Sequence, residues 1–184
     1  SATVLRRMAR NTTPVKFRNL VETARNLIPG LAITTDVIVG FPGETSKEFE
    51  ESLDFIRGIG FSGGHVFKYS LREGTLAATM PERIPGTIAR ERARQVRAVL
   101  EASEKSYLDD QIGEVRQVLW ETARQAQTGE WMLSGLSENY TRIQAPSISK
   151  KWNEIDAVMV NERTGDVLSG QILEINPIGS NSYE

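Results

Sequence analysis

A short apolar segment in the first third of the chain constrains the fold most. Residues 32–41 read Ala-Ile-Thr-Thr-Asp-Val-Ile-Val-Gly-Phe and become almost continuously apolar toward their end. This pattern, rich in β-branched side chains, is typical of a strand that is buried on both faces of a parallel sheet. Because parallel strands need a crossover connection, we expect a helix and a second strand to follow.

The next residues supply that connection. Residues 42–44 (Pro-Gly-Glu) predict a turn, and Thr45 with Glu48 has the spacing of a capping box at a helix start. The helix pattern ends at the Gly-Ile-Gly of residues 58–60, and residues 64–70 predict the second strand. Strand, helix and strand with short connections predict a right-handed β-α-β unit.

The rest of the chain divides into two kinds of pattern. Before the first strand, Thr13 and Pro14 predict the start of an amphipathic helix. After the second strand, a loop rich in Gly and Pro leads to a long helix from Thr87 to Gly113. From Glu114 onward, five short strands between turn signals predict a small all-β barrel. We therefore expect an α/β part in residues 1–113, the barrel in residues 114–175 and a flexible tail in residues 176–184.

The α/β part is incomplete by its own pattern. Two parallel strands cannot close a barrel or cover both sheet edges. In addition, Ser1 lies inside a helix-like pattern. We interpret this start as a cut through a larger protein, and trimming of a tag or by a protease is the alternative.

Composition excludes several chemistries within these residues. The chain has no Cys, which excludes disulfides, zinc sites of the Cys-x-x-Cys type, a cysteine nucleophile and Cys-ligated iron–sulfur clusters. His65 is the one histidine, and we favour a packed, hydrogen-bonded role for it over a catalytic one. A net charge of −2 argues against RNA binding by overall charge, although a local basic patch remains possible. No apolar run approaches the roughly 18 residues of a membrane span.

The segment from residue 34 to residue 45 is the most distinctive motif. It ends at the carboxyl end of a parallel strand, where α/β folds place their ligands. Gly40 and Gly43 would let a ligand or a neighbouring loop approach the backbone closely, and Glu44 lies at a helix start. The alternative is an ordinary tight strand-to-helix turn with a capping box.

This motif (TTDVIVGFPGET), the later segment HVFKYSLREGT and the long charged helix together resemble the radical S-adenosylmethionine methylthiotransferases. These enzymes insert a methylthio group into a tRNA base or into an aspartate of a ribosomal protein. The resemblance covers nearly the whole chain. It implies a partial TIM-like radical-SAM α/β barrel followed by a TRAM domain, which is a small OB-like RNA-binding β-barrel.

The resemblance also implies cofactors that the whole enzyme would carry. Family members hold two 4Fe-4S clusters, one in an N-terminal domain and one on a three-cysteine motif of the α/β barrel. S-adenosylmethionine is cleaved there to a 5′-deoxyadenosyl radical that abstracts a hydrogen from the adenine ring. The present chain would begin after the cysteine motif. We therefore expect it to need the N-terminal segments of the same protein as partners, and to be a cytoplasmic chain that alone binds no cluster and is inactive.

Cofactor-binding residues follow from matching this sequence to the family motifs. Gly40, Pro42, Gly43 and Glu44 match the fifth-strand motif that flanks the S-adenosylmethionine pocket. The sixth strand and the loop after it match residues 67–70 and Arg72, although Leu71 and Glu73 replace two frequent prolines of that loop. The cofactor-binding residues so predicted are Asp36, Gly40, Pro42, Gly43, Glu44, Phe67, Tyr69 and Arg72. For Asp36 a hydrogen-bonded structural carboxylate is the alternative.

The substrate branch and the RNA contacts are predicted from the second part. Residues 135–142, Gly-Leu-Ser-Glu-Asn-Tyr-Thr-Arg, resemble the branch that modifies threonylcarbamoyladenosine beside the tRNA anticodon, so the anticodon stem-loop is the expected partner. Aromatic and basic groups near loops would suit single-stranded bases, and the predicted RNA-binding residues are Tyr140, Arg142, Lys150, Lys151 and Trp152.

Other interpretations stay open at this point. Tyr140 and Trp152 could pack in a core while the two lysines lie in a flexible loop. The basic residues at 90, 94 and 97 invite an RNA interpretation, but we favour a solvated helix face that pairs with Glu101 and Glu104. The protein could also act on a ribosomal protein, or could be a non-catalytic RNA-binding or assembly module.

Overall fold

A computed structural model describes residues 1–173 of the chain, which divides into two compact units. The first unit is Ser1–Tyr107, and the second begins at Leu108. The sequence places the same division at residue 113. No helix within residues 1–173 is long and apolar enough to cross a membrane. The predicted flexible tail at residues 176–184 lies outside the described residues.

The first unit contains five helices and a two-stranded parallel sheet in the described residues. Its elements are α1 (Ala2–Arg7), α2 (Pro14–Leu27), β1 (Thr34–Val39), α3 (Ser46–Ile59), β2 (Gly63–Lys68), α4 (Leu76–Thr79) and α5 (Gly86–Asp109), of which the last continues into the second unit. The predicted β-α-β unit is confirmed, since β1 and β2 pair in parallel. Two strands do not make a barrel, so membership of a TIM-like barrel stays a prediction.

Local signals set the helix starts as expected. Thr13 caps α2, with its side chain accepting from the Lys16 N–H, and Pro14 is the first helical residue. Thr45 and Glu48 form the predicted capping box at the start of α3. The predicted loop at residues 71–86 contains the short helix α4, which the Gly and Pro content did not indicate.

The core of the first unit lies on one side of its sheet. Val37, Val39 and Val66 pack against apolar residues of α2, α3 and α5. The opposite side carries Asp36 and Phe67, both exposed. The prediction that β1 is buried on both faces is therefore wrong for this structure, because all the helices that contribute to this core cover the same face.

The second unit is a closed barrel of five strands, as the sequence predicts. Its strands are β3 (Val115–Gln125), β4 (Trp131–Ser137), β5 (Arg142–Ser147), β6 (Ile155–Thr164) and β7 (Val167–Ile172), and the order around the barrel is β3-β4-β5-β7-β6. Trp120, which has no exposed surface, is the largest fully buried side chain. Its core neighbours come from all five strands.

One glycine allows two neighbouring barrel strands, β3 and β4, to pack closely. A Cβ added at Gly135 of β4 would lie 2.1 Å from the carbonyl oxygen of Leu119 on β3. That distance is far inside van der Waals contact, and the obstructing atom belongs to the backbone, which cannot rotate away. A strand glycine at a close backbone approach is typical of small barrels.

Replacement of this glycine tests the closure of the barrel. We expect Gly135→Ala to lower the free energy of unfolding by about 1–3 kcal/mol, because the added methyl forces the strands apart. All three tryptophans lie beyond residue 107, so urea unfolding followed by tryptophan fluorescence reports on the second unit. Ser149→Ala, an exposed change in the same unit, is the control. Equal stability of the two variants would contradict this account of the barrel.

Candidate functional site

The loop that follows β1, residues 40–45, is held by a buried carboxylate. One carboxylate oxygen of Glu44 accepts the Gly40 N–H at 2.7 Å and the Arg92 Nη1 at 2.8 Å. The same Nη1 also donates to the Glu44 carbonyl oxygen at 2.8 Å. Glu44 is 3% exposed and Arg92 is 6% exposed, so the pair is shielded from water. This loop, called the strand-end loop below, is thereby fixed to α5.

Two more contacts fix the strand-end loop. Gly40 has a φ of +73°, and a Cβ there would lie 2.9 Å from the Cβ of Ala89 on α5. The Gly43 N–H donates to the Glu82 carbonyl oxygen at 2.9 Å. The sequence predicts that a neighbour approaches the Gly40 backbone closely, and in the structure that neighbour is helix α5.

Helix α1 holds the strand-end loop from another side. Arg7 donates to the Pro42 carbonyl oxygen at 3.3 Å and forms an ion pair with Glu48 at 2.6 Å. The pKa of Glu48 lies below its ordinary value: partial burial would raise it, but the N–H of Thr45 and the Arg7 guanidinium together lower it by more. The loop is therefore held by α1 and α5 together.

The open side of the sheet lies next to this loop. Register places Asp36 beside His65 and Ile38 beside Phe67, and these four residues are called the open sheet face below. Phe67 is 51% exposed, and its ring centroid lies 6.3 Å from that of His65. His65 is exposed rather than packed in a core, contrary to the favoured interpretation. The side chain of Asp36 makes no hydrogen bond or ion pair within residues 1–173, so no partner supports the alternative of a structural carboxylate.

Tyr69 and Arg72 follow β2 but have different environments. The Tyr69 ring packs edge-on against Phe41 at 5.5 Å between ring centroids. Its hydroxyl oxygen is buried and has no hydrogen-bond partner in the described part of the chain. Arg72 lies exposed in the following loop. The structure thus brings Tyr69 to the end of the strands beside the strand-end loop. Within residues 1–173, the side chain of Arg72 makes no hydrogen bond or ion pair with the other predicted residues.

Arg92 was missed by the sequence analysis, which considered its neighbours at positions 90, 94 and 97. A signal was present, because Arg92 lies three residues after Ala89 and four before Val96, on the buried stripe of α5. On the outer face, Arg94 pairs with Glu91 at 2.7 Å. An exposed ion pair on this helix face is thus present at Arg94, but its partner is Glu91, and the predicted pairing with Glu101 and Glu104 stays a prediction.

A cavity of about 410 Å³ lies beside β1 and is lined by residues of β1 and α1. Apolar side chains of α1 line it, namely Val4, Leu5 and Met8, and so do the residues of β1 from Thr35 to Val39. Within the described residues β1 pairs only with β2, so this flank of β1 has no strand beside it. The cavity is an apolar space at an unpaired strand edge.

In the second unit the predicted aromatic residues are exposed. Tyr140 is 85% exposed and Trp152 is 68% exposed, so the core-packing alternative is wrong for both. Tyr140 has a φ of +61°, which is unfavourable for a residue with a large side chain. Such a strained position is more easily understood for a residue whose exposed ring has a use than for one that fills space.

The predicted basic residues of the barrel are engaged within it. Arg142 forms an ion pair with Glu121 at 2.6 Å, and the Lys150 ammonium lies 5.9 Å from the centre of the Trp131 ring. Lys151 contacts both oxygens of Asp156, which also accepts the indole N–H of Trp120 at 2.7 Å. Of the five predicted RNA-binding residues, the two aromatic ones are thus free within the described part of the chain, whereas the three basic ones are engaged.

An apolar row crosses the outside of the barrel. Register places Leu119 beside Ile155 on one neighbouring strand and beside Leu136 on the other, and Leu136 pairs with Arg142. Ile155 is 65% exposed. This row was not predicted, because the alternation that reveals a strand does not say which of its faces meets the core. Within residues 1–173, no three His, Cys, Asp or Glu side chains are grouped so that they could hold a metal ion.

Known proteins resemble this chain in sequence. It is 39% identical over 143 residues to the threonylcarbamoyladenosine tRNA methylthiotransferase MtaB of Bacillus subtilis (strain 168), which covers 78% of the chain and 32% of that protein. It is 31% identical over 174 residues to the tRNA-2-methylthio-N(6)-dimethylallyladenosine synthase of Lachnoclostridium phytofermentans, covering 95% of the chain and 38% of that protein. The enzyme of the same name from Anoxybacillus flavithermus is 32% identical over 174 residues. The chain spans about a third of the length of these relatives. No model of a known protein family matches it.

The buried pair can be tested by a double-mutant cycle. We expect Arg92→Met to lower the free energy of unfolding by about 3–5 kcal/mol, because it leaves the Glu44 carboxylate buried without a charged partner. Adding Glu44→Gln should recover part of this loss, since no buried charge then remains. Unfolding in urea is followed by far-ultraviolet circular dichroism. Arg94→Met, which breaks a fully exposed pair, should change the free energy of unfolding little. Equal costs for Arg92→Met and Arg94→Met would refute the role of the buried pair.

The contact between Glu48 and Arg7 predicts a pH dependence. Because the folded-state pKa of Glu48 lies below its ordinary value of 4.5, its carboxylate stabilises the fold at neutral pH. This stabilisation is lost as the pH falls below 4.5 through the folded-state pKa. Glu48→Gln should therefore reduce the loss of stability between neutral pH and the acid range, whereas Glu50→Gln, an exposed change on the same helix, should not. Parallel pH profiles for wild type and Glu48→Gln would contradict the assignment.

Proposed function

The chain belongs to the family of the tRNA methylthiotransferases, and from this premise we propose that it forms the C-terminal part of an enzyme that methylthiolates an adenosine of tRNA. The observation that carries the proposal is the identity of 31% over 174 residues, which includes both units. The proposed substrate is threonylcarbamoyladenosine beside the anticodon. It is supported by the relative from Bacillus subtilis and by residues 135–142.

S-adenosylmethionine fits the residues at the strand ends. Phe67 offers an exposed aromatic ring to a purine, and Tyr69 has a buried hydroxyl without a partner in the described residues. When bound, S-adenosylmethionine supplies the radical chemistry that the addition of sulfur to an adenine ring requires. The residues proposed to contact it are Asp36, Gly40, Pro42, Gly43, Glu44, Phe67, Tyr69 and Arg72.

These residues would have different tasks. One oxygen of the Glu44 carboxylate accepts from both Gly40 and Arg92, so we assign Glu44 the task of fixing the strand-end loop rather than binding the cofactor through that oxygen. Phe67 and Tyr69 would orient the cofactor and exclude water from it. Asp36, exposed on the open sheet face, offers an acceptor for a ribose hydroxyl or an amine.

Iron–sulfur clusters do not fit the residues of this chain. It contains no cysteine, and so offers no thiolate for a cluster. We propose that the two 4Fe-4S clusters are held by other segments of the same protein. The unpaired edge of β1 and the apolar cavity of about 410 Å³ beside it are where such a segment would complete the sheet.

The barrel would contact the anticodon stem-loop chiefly through stacking. Tyr140 and Trp152 present exposed rings, and unstacked bases bind well to such surfaces. Arg142, Lys150 and Lys151 are engaged within the barrel, so they would reach a phosphate only by exchanging their present partners. We therefore assign the larger share of the barrel's RNA affinity to the two aromatic residues.

One observation favours a second candidate. The described residues 108–173 contain ten acidic and six basic residues, a balance that repels an RNA backbone and attracts a basic protein. A ribosomal-protein substrate, with the same chemistry, would suit such a surface. The two candidates differ in which molecule loses its methylthio group when the gene is lost.

Disruption of the gene separates these candidates. We expect nucleosides from total tRNA to lose 2-methylthio-threonylcarbamoyladenosine and to retain its unmethylthiolated precursor, as measured by liquid chromatography and mass spectrometry. Complementation with the wild-type gene should restore the modified nucleoside. Loss from dimethylallyladenosine instead would contradict the substrate but keep the enzyme class. Unchanged tRNA nucleosides, together with a ribosomal protein that has lost its methylthio group, would overturn the tRNA proposal.

A further inference from the structure

A basic pocket lies where α1 ends and α2 begins. Its volume is about 240 Å³, and no carboxylate lines it. The lining contains three cationic side chains and several small polar ones, namely Arg6, Arg10, Lys16, Asn11, Thr12 and Thr13, together with Ala2. Three positive charges around one small concave space repel each other, and an anion would relieve that repulsion.

Within the described residues, the cationic side chains of this pocket lack the protein partners that arginines of α2 and α3 have. Arg18 and Arg25 donate to carbonyl oxygens at the end of α3, and Arg57 pairs with Asp54. In contrast, the side chains of Arg6, Arg10 and Lys16 form no hydrogen bond or ion pair within residues 1–173, and all three are exposed. Their charges are therefore available to a ligand from solution.

The pocket lies at the same end of the first unit as the strand-end loop. Arg7, which adjoins Arg6, contacts both the Pro42 carbonyl oxygen and Glu48, so the end of α1 lies beside that loop. Helix α2 begins at the pocket and leads back to the start of β1. The carboxyl ends of parallel strands are where α/β folds bind their substrates.

Charge is also distributed unevenly along the chain. Residues 1–107 contain 16 basic and 12 acidic residues, whereas the described residues of the barrel contain six basic and ten acidic ones. An RNA backbone requires positive charge, and Lys and Arg supply most phosphate contacts. The first unit is thus better suited to the phosphates than the barrel is.

We propose that the pocket formed by Arg6, Arg10 and Lys16 binds a backbone phosphate of the RNA whose base enters the strand-end site. This inference rests on the proposed function, since it takes RNA as the substrate. Arg10 and Lys16 bind the phosphate oxygens, with the hydroxyl groups of Thr12 and Thr13 as additional donors. The contact fixes the position of the RNA but does not read its sequence.

The test compares charge neutralisation inside and outside the pocket. The 184-residue chain is titrated with a fluorescently labelled anticodon stem-loop RNA over a range of salt concentrations. We expect Arg10→Gln/Lys16→Gln to raise the Kd by roughly tenfold or more. The slope of log K against log salt should become shallower by about one for each phosphate that the variant no longer binds. Arg57→Gln/Lys105→Gln removes the same charge from exposed helix positions elsewhere in the first unit and should leave both values nearly unchanged.

Two further measurements keep the proposal falsifiable. Both double variants should melt at the wild-type temperature by circular dichroism, because all four residues are exposed. A stem-loop of scrambled loop sequence should lose affinity to the same extent, since a phosphate contact is independent of sequence. Equal losses for the two double variants, or a loss confined to one loop sequence, would overturn the pocket while leaving the proposed function intact. A wild-type chain that binds neither RNA would overturn the pocket, whereas the proposed function is tested separately by the loss of the modified nucleoside on gene disruption.

Discussion

The buried carboxylate of Glu44 is the interaction on which the first unit depends. A buried charge costs several kcal/mol unless it is paired and hydrogen-bonded, and Arg92 and the Gly40 N–H supply an ion pair and a hydrogen bond to one carboxylate oxygen. The pair joins a turn to a helix 48 residues later in the sequence. Because the turn cannot move without breaking the pair, the end of β1 and the sheet face beside it keep a fixed geometry, which a cofactor site needs.

The two units offer different surfaces to a nucleic acid. The first unit has an excess of basic residues, an open sheet face and a pocket of unpaired cations beside the strand ends. The barrel has an excess of acidic residues, and it exposes the rings of Tyr140 and Trp152. Under the proposed function, phosphate binding and base stacking thus fall to different parts of one chain, which reconciles RNA binding with a net charge of −2.

Much of the fold could be predicted, because its signals are local. The caps at Thr13 and Thr45 act within four residues, and five short segments between turn signals were enough to indicate the barrel. Contacts between residues that are distant in the sequence could not be predicted. The apolar run of β1 shows that the strand can be buried on both faces, but not which elements cover each face. The open face of the sheet was therefore not predicted. The pairing of Glu44 with Arg92 and of Lys151 with Asp156 depends on where the chain brings distant residues together.

Reconstitution of the reaction tests the central claim most directly. The full-length protein, purified anaerobically with its clusters, is incubated with S-adenosylmethionine, a reductant, a sulfur source and tRNA that carries threonylcarbamoyladenosine. The account predicts that digested tRNA contains 2-methylthio-threonylcarbamoyladenosine, and that a protein with Phe67→Ala and Tyr69→Phe forms much less of it although it folds normally. A cluster-loaded protein that leaves this tRNA unmodified, while methylthiolating a different substrate, would contradict it.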